Sequence, residues 1–177
     1  MIKFLIVGEN SIDKKKIVNM LLQNEGLFNV AKYFSTNQKD AEKEFYYFMS
    51  NQELHICYKN NAILFVKTIL FDSYGITLDS FYENNVIFMN TEDFNNISNK
   101  IFLSNNELVI VWLDTKNHDN NSIKKEIKES SYLQDKIDND HLKYLYFLDK
   151  PEIEIMDVIC TYLKNPEKRE ELLENYC

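Results

Sequence analysis

The feature that most constrains the fold of this chain is an unbroken run of six apolar residues, Leu108 to Leu113. Such a run is typical of a central parallel strand covered on both faces, because a strand with one face in water would alternate apolar and polar residues. A second, largely apolar run, Lys3 to Val7, lies near the start of the chain. These runs recur with polar helical stretches between them, and this alternation predicts an α/β fold with a parallel sheet flanked by helices.

The spacing of apolar residues predicts the remaining elements. Helices are predicted at Ser11 to Gln23, Leu78 to Glu83, Glu92 to Leu103 and Ser122 to Ile137, and from Pro151 up to a polar tail that begins at Pro166. Further strands are predicted at Phe28 to Phe34, Val86 to Met89 and Tyr144 to Leu148. Three short strands with no intervening helix, predicted at Phe45 to Met49, Leu54 to Tyr58 and Ala62 to Ile69, indicate a small antiparallel insert.

Length and composition indicate one domain over residues 1–177. The chain has 177 residues, of which 45% are hydrophobic, enough for a substantial core. We expect a core of residues 1–34 and 78–177, and a β-rich insert at about residues 35–77. The ligand crevice of such a sheet lies at the carboxyl ends of its strands.

Targeting and metal signals are weak. No stretch approaches the ~20 apolar residues of a membrane span, and the N-terminal apolar run is too short for a signal sequence. We therefore expect a cytoplasmic protein that does not enter a membrane. The three cysteines and three histidines are scattered, so neither a disulfide framework nor a metal site is predicted.

The charge of the chain restricts its partners. The formal net charge of −8 argues against nucleic-acid binding, which requires clustered cations. An acidic surface can instead meet a basic protein partner. Among the 20 Lys and Arg residues, Arg169 is the only arginine. This matters because the planar guanidinium is the preferred clamp for a phosphoryl group in transfer.

The segment Gly8 to Lys15 follows the first predicted strand, where a phosphate-binding loop of the form G-x-x-x-x-G-K-[ST] would lie. Gly8 and Lys14 match that pattern. Asp13 replaces the second glycine, placing a Cβ and a negative charge where phosphate oxygens would pack, and Lys15 replaces the hydroxyl that holds magnesium. The alternative interpretation is a plain turn whose helix is capped by Asn10 or Ser11.

Several segments occur in the order and spacing of one known family: Ser35-Thr36, Tyr46 to Ser50, Ser73 to Gly75, Asn85 to Phe94 and Tyr144 to Leu163. Together with the loop, they make the chain resemble the guanylate kinase family. The resemblance implies a P-loop-type parallel sheet with a monophosphate-binding β insert. It also implies a phosphate loop of Gly8, Asp13, Lys14 and Lys15, with Lys14 as the catalytic lysine, and contacts from Tyr46 and Tyr74 to the phosphate of GMP.

The chain departs from the family at the positions that hold phosphate charge. The two family arginines that bind the monophosphate align with Asn37 and Asp40. The guanine-reading serine aligns near Tyr33, the insert's acidic residues near Phe65 and Thr68, and the strand-end aspartate near Asn90. The region of the lid, residues 117–140, contains lysines such as Lys124 but no arginine.

Several functions follow from these observations. The first is a catalytically degenerate guanylate-kinase-like protein, a pseudoenzyme that binds a protein partner or, weakly, a nucleotide such as GMP or ATP; the sequence predicts no certain cofactor for it. The second is an active, divergent nucleoside-monophosphate kinase of viral type, which would use ATP and Mg²⁺ with GMP or a deoxynucleoside monophosphate. The third is a scaffold or antagonist of a basic protein. The start of the chain also resembles a response-regulator receiver domain, although Glu9 alone fills its acidic pair.

Overall fold

The computed structural model describes residues 2–9, 13–24, 26–94, 96, 107–114 and 142–176. The strands are β1 (Lys3–Gly8), β2 (Tyr33–Ser35), β3 (Tyr46–Phe48), β4 (Ile63–Ile69), β5 (Asp72–Thr77), β6 (Val86–Met89), β7 (Leu108–Asp114) and β8 (Leu142–Leu148). The α-helices are α1 (Lys14–Leu22), α2 (Asn51–Lys59), α3 (Leu78–Glu83), α4 (Glu152–Lys164) and α5 (Arg169–Tyr176). Two short 3₁₀ segments are Gln38–Glu42 and Pro166–Lys168.

The main sheet is parallel and has the strand order β6-β1-β7-β8. Every residue of β1, β6 and β7 is buried, as expected for parallel strands covered on both faces, although β6 lies at the edge of the sheet. Trp112, the single tryptophan of the chain, lies in β7 and packs edge-on against Phe94 with ring centroids 5.7 Å apart. Helices flank this sheet: α1 contacts β1, β6 and α4, and α5 contacts β8.

Lys3 begins β1 and is fully buried, although it is charged. Its ammonium donates hydrogen bonds to the carbonyls of Phe81, Tyr82 and Asn84, at 2.6, 3.1 and 2.6 Å. These carbonyls lie at the C-terminal end of α3, where the helix dipole favours a cation. Lys3 therefore fixes α3 against the amino end of the main sheet.

The second sheet is mixed and has the order β3-β2-β5-β4. Strand β2 pairs antiparallel with β5 and β5 with β4, but β2 and β3 run parallel, so the prediction of an antiparallel insert is only partly right. Gly75 in β5 is required by close packing, because a Cβ there would lie 2.0 Å from the carbonyl oxygen of Phe65. This close approach sets the position of the neighbouring Tyr74.

The segment between α1 and β2 joins the two sheets. The backbone of Asn29, Val30 and Ala31 pairs with Val86 along the outer edge of β6. This pairing covers an edge that would otherwise present unpaired backbone groups. The chain then crosses into the second sheet at Tyr33, so the predicted strand Phe28 to Phe34 is shortened to β2 and the isolated bridge at Val30.

The predicted strand Leu54 to Tyr58 is wrong, because these residues lie in α2. The helix begins with a capping box: the Ser50 hydroxyl accepts a hydrogen bond from the Glu53 amide at 3.2 Å, and the Glu53 carboxylate accepts one from the Ser50 amide at 2.7 Å. Two otherwise unpaired amides are thus satisfied reciprocally. Only Leu54 of this helix is buried, so its amphipathic signal is weak.

The other predicted helices and strands within the described residues are present, some with different first or last residues. Helix α3 and strand β6 match the predicted ranges, and the predicted closing helix is α4. The polar tail is ordered as a 3₁₀ turn and α5. The helices predicted at Glu92 to Leu103 (beyond residue 96) and Ser122 to Ile137 lie outside the described residues. Among the described helices, none is long and apolar enough to cross a membrane.

Candidate functional site

A cavity of about 540 Å³ opens between the two sheets, next to the carboxyl end of β6. Its walls come from the residues that open α1, from the second sheet and from the segment that follows β6. It brings together five of the six residues that the sequence proposed for a site: Asp13, Lys14, Lys15, Tyr46 and Tyr74. The sixth, Gly8, ends β1 and contacts this group through Lys14.

Lys14 lies in the first turn of α1 and is buried. Its ammonium donates hydrogen bonds to the carbonyl oxygens of Gly8 at 2.8 Å and Glu9 at 2.6 Å. Burial lowers the pKa of Lys14 to about 8, while the carboxylates of Glu9, Asp13 and Asp93 act in the opposite direction. Two of its three N–H donors are thus engaged by carbonyl oxygens of the chain's own loop.

Asp13 caps α1, so the cap is neither Asn10 nor Ser11, and the helix starts later than predicted. Its carboxylate accepts a hydrogen bond from the Lys16 amide at 3.2 Å. This amide is one of the donors that a phosphate at a helix N-terminus would use. A carboxylate therefore already occupies the anion position of this helix.

These residues do not fit a magnesium–triphosphate group. The side chain of Lys15 is exposed and carries no oxygen that could bind Mg²⁺. Asp13 adds a negative charge beside the place where phosphate oxygens would lie, and like charges repel. Within the described residues, no cluster of three or more His, Cys, Asp or Glu side chains could hold a metal ion.

Three tyrosines of the second sheet form an aromatic wall. The Tyr33 hydroxyl donates a short hydrogen bond to the carbonyl of Phe88, which ties the second sheet to β6. The ring of Tyr46 packs 5.7 Å from that of Tyr33, and the ring of Tyr74 packs 6.4 Å from that of Phe65. Burial raises the pKa of all three tyrosines, so they stay neutral phenols at physiological pH.

Two carboxylates and a lysine that the sequence did not single out also line the cavity, and the lysine, Lys67, pairs with Tyr74 across the second sheet. Lys67 of β4 forms a close ion pair with Glu92 and lies 3.7 Å from Oδ1 of Asp93. Asp93 is only 4% exposed, and Oδ1 accepts no hydrogen bond from any described residue. Burial raises the pKa of Asp93, opposed by Lys67.

Asp93 is held in place by a helix start. The Asn90 side chain accepts a hydrogen bond from the Asp93 amide at 2.7 Å, and residues 91–94 are helical. The sequence contains a signal for this arrangement. An Asn followed by acidic residues directly after the apolar strand β6 is typical of a helix N-terminus at the ligand edge of a parallel sheet.

The positions that align with the two family arginines are used internally. Asn37 donates a hydrogen bond from its side-chain amide to Asp72 at 2.9 Å. Asp40 accepts one from the Ser35 hydroxyl at 2.7 Å and forms an ion pair with Lys43. Lys43 and Ser35 lower the pKa of Asp40, which stays ionised. Neither position supplies a cation to the cavity.

Arg169, the only arginine, lies elsewhere. Its Nε donates to the carbonyl of Tyr162 at 2.9 Å, and its guanidinium lies 5.3 Å from the Tyr162 ring centroid and 3.8 Å from the carboxylate of Glu107. Glu107 precedes β7, so this cluster marks the amino edge of the main sheet. The cavity lies at the carboxyl edge. The proposed lid, residues 117–140, lies outside the described residues.

No family model matches the sequence, and no curated protein matches it. One solved structure similar to this protein is the guanylate kinase from Anaplasma phagocytophilum. The two share 14% sequence identity with a TM-score of 0.53, and the match covers 98% of this chain and 93% of that one. This protein therefore has a guanylate-kinase-like fold, with a parallel main sheet and a separate mixed sheet.

Proposed function

We propose that this protein binds a nucleotide or nucleoside in the cavity between its two sheets and does not transfer a phosphoryl group. The observation that carries the proposal is the location of Arg169, the single arginine, which is bound to Tyr162 and Glu107 at the edge of the sheet opposite the cavity. An arginine at the transferring phosphoryl group contributes about 10³–10⁵ to the rate in related enzymes.

The lysines at the cavity support the same proposal. Lys14 is bound to two carbonyl oxygens of its own loop, and Lys67 is paired with Glu92. A lysine is a point charge and offers no planar fork for a phosphoryl group. With Asp13 and Lys15 in the positions of the loop glycine and the magnesium ligand, the site lacks the elements that position and neutralise a triphosphate.

A coupled assay of ATP turnover tests this proposal. Purified protein is incubated with ATP, Mg²⁺ and either GMP or each deoxynucleoside monophosphate, with the Lys14→Met variant measured in parallel. We expect no turnover above the variant. Turnover of about 1–100 per second, the usual range of kinases, that is lost in Lys14→Met would refute the proposal and establish the kinase alternative.

A protein partner is a separate proposal that rests on the net charge of −8. Attraction between exposed charges weakens as salt screens it. A partner held by this surface would be retained from a lysate at low salt and released at high salt. A cytoplasmic location and a viral origin remain predictions from the sequence.

A further inference from the structure

We infer that the cavity prefers an uncharged ligand with a planar ring and N–H donors, a nucleoside or free nucleobase, and discriminates against the phosphorylated form. This inference rests on the proposed function, because it assumes that the cavity takes a ligand of the nucleotide class. It goes further by specifying that the ligand is unphosphorylated and that the Asp93 side chain recognises its N–H donors.

The lining of the cavity carries no net charge. Three lysines and three carboxylates face the cavity: Asp13, Lys14, Lys15, Lys67, Glu92 and Asp93. Their formal charges cancel when all are ionised. A phosphate monoester carries a charge of about −1.5 to −2. In this neutral lining, no net positive charge would compensate for the hydration that the phosphate loses on binding. An uncharged ligand meets no such penalty.

The buried Lys14 and the half-buried Lys67 already have partners. Lys14 donates to the carbonyl oxygens of Gly8 and Glu9, and Lys67 is paired with Glu92 beside Asp93. A phosphate would have to compete with these oxygens for each ammonium. The exposed Lys15 gives only a solvent-screened charge, which contributes little.

One carboxylate oxygen of Asp93 has no hydrogen-bond donor among the described residues. The residue is 96% buried, and Oδ1 accepts no hydrogen bond within the described part of the chain. An ionised carboxylate only accepts hydrogen bonds, so the group that completes it must be an N–H or O–H donor. Lys67 lies 3.7 Å away, beyond hydrogen-bond distance. A ring nitrogen or exocyclic amine of a nucleobase supplies the missing donor.

Aromatic side chains form one wall of the cavity. Tyr33, Tyr46, Tyr74 and Phe88 line the cavity, and of these Tyr46 and Tyr74 are only partly buried, so their rings are accessible to a planar ligand. Base–aromatic stacking tolerates any base, because every base has a π-face. The volume of about 540 Å³ lies within the usual range of small-molecule sites. A cationic amine would also pair with Asp93, but Lys14 and Lys67 would repel it.

Isothermal calorimetry with paired ligands tests this inference. Guanosine, adenosine, inosine and uridine are each compared with their own 5′-monophosphate on the intact protein. We expect at least one nucleoside to bind at least tenfold more tightly than its monophosphate. Asp93→Asn, which keeps the shape but removes the charge and exchanges one of the two acceptor oxygens for an NH2 donor, should weaken nucleoside binding at least tenfold. Asp157→Asn, on the exposed side of α4, is the matched control and should change nothing.

The outcomes separate this inference from the proposed function. A monophosphate that binds more tightly than its nucleoside, or unchanged nucleoside affinity in Asp93→Asn, overturns the inference and leaves binding without phosphoryl transfer intact. Turnover in the coupled assay overturns the proposed function. The absence of any binding at millimolar concentrations of both ligand series overturns both, because neither member of the class is then recognised.

Discussion

At the scale of single residues, two buried charges stand out because each costs stability in a different way. Lys3 is fully buried but donates to three carbonyl oxygens at the end of α3. Asp93 is nearly as buried, yet one of its oxygens has no donor within the described residues. Unsatisfied buried charges concentrate at functional sites, since elsewhere nothing compensates for their cost.

Replacement of Asp93 should therefore stabilise the protein. Burial raises the pKa of this carboxyl, so its ionised form opposes folding at every pH above the folded-state pKa. We expect Asp93→Asn to increase the free energy of unfolding at neutral pH by about 1 kcal/mol, as measured by urea denaturation. Asp157→Asn should leave it unchanged. A loss of stability in Asp93→Asn would show that the carboxylate serves the fold and not a ligand.

Lys3 predicts a pH dependence of stability. Burial lowers its pKa to about 8, against 10.5 as the ordinary value. Between these values the unfolded chain binds more protons than the folded protein, so the free energy of unfolding rises with pH. Relative to Lys3→Met, wild type should gain at most about 1.4 kcal/mol per pH unit in this window. The tyrosines titrate equally in both proteins, so their contribution cancels in the comparison. A wild-type free energy of unfolding that falls relative to that of Lys3→Met as the pH rises would contradict the assignment.

At the scale of elements, the sequence predicts the main sheet well and the second sheet poorly. The strands β1, β6 and β7 are fully buried, so each contains a run of apolar residues. Such a run can be recognised without knowing which strands lie beside it. In the second sheet, β2 and β3 have only three residues each, and β3, β4 and β5 are only partly buried, so the apolar pattern is weak. Helix α2 was missed because only one of its residues is buried, although Ser50 and Glu53 carry the S-x-x-E signature of a capping box.

The capping box should therefore contribute more to α2 than its packing does. We expect Ser50→Ala to lower the free energy of unfolding by about 1 kcal/mol, because the Glu53 amide loses its acceptor. Gln52→Ala, in the same exposed first turn, is the control and should have little effect. Urea denaturation of both variants makes the comparison. Equal stabilities would mean that tertiary contacts, not the cap, set the start of this helix.

At the scale of the whole molecule, the cavity exists because two sheets meet at the carboxyl end of β6. Among the described residues, the hydrogen bond from the Tyr33 hydroxyl to the carbonyl of Phe88 and the ion pair of Lys67 with Glu92 join them there. The sequence placed Lys14, Tyr46 and Tyr74 in one site, because they belong to segments with a family order. It did not identify Lys67 or Asp93, because these two residues come together only when the fold brings β4 next to the end of β6.

The contribution of the hydrogen bond between Tyr33 and Phe88 to the free energy of unfolding should be measurable. Tyr33→Phe removes a buried donor and leaves the carbonyl of Phe88 unpaired, so we expect a loss of about 1–3 kcal/mol of unfolding free energy. The exposed Tyr82 on α3 provides the control, as Tyr82→Phe. Amide exchange should quicken most in β2 and β3 of Tyr33→Phe. A uniform increase across both sheets would show that they unfold as one unit.

Trp112 gives this architecture an optical consequence. The chain has one tryptophan, buried in the central strand β7, whereas the cavity is walled by tyrosines. Tryptophan emission therefore reports on the main sheet, and near-ultraviolet signals of tyrosine respond to a ligand between the sheets. Unfolding and ligand binding can thus be recorded at separate wavelengths in one unlabelled sample, so a variant that alters one can be distinguished from a variant that alters the other.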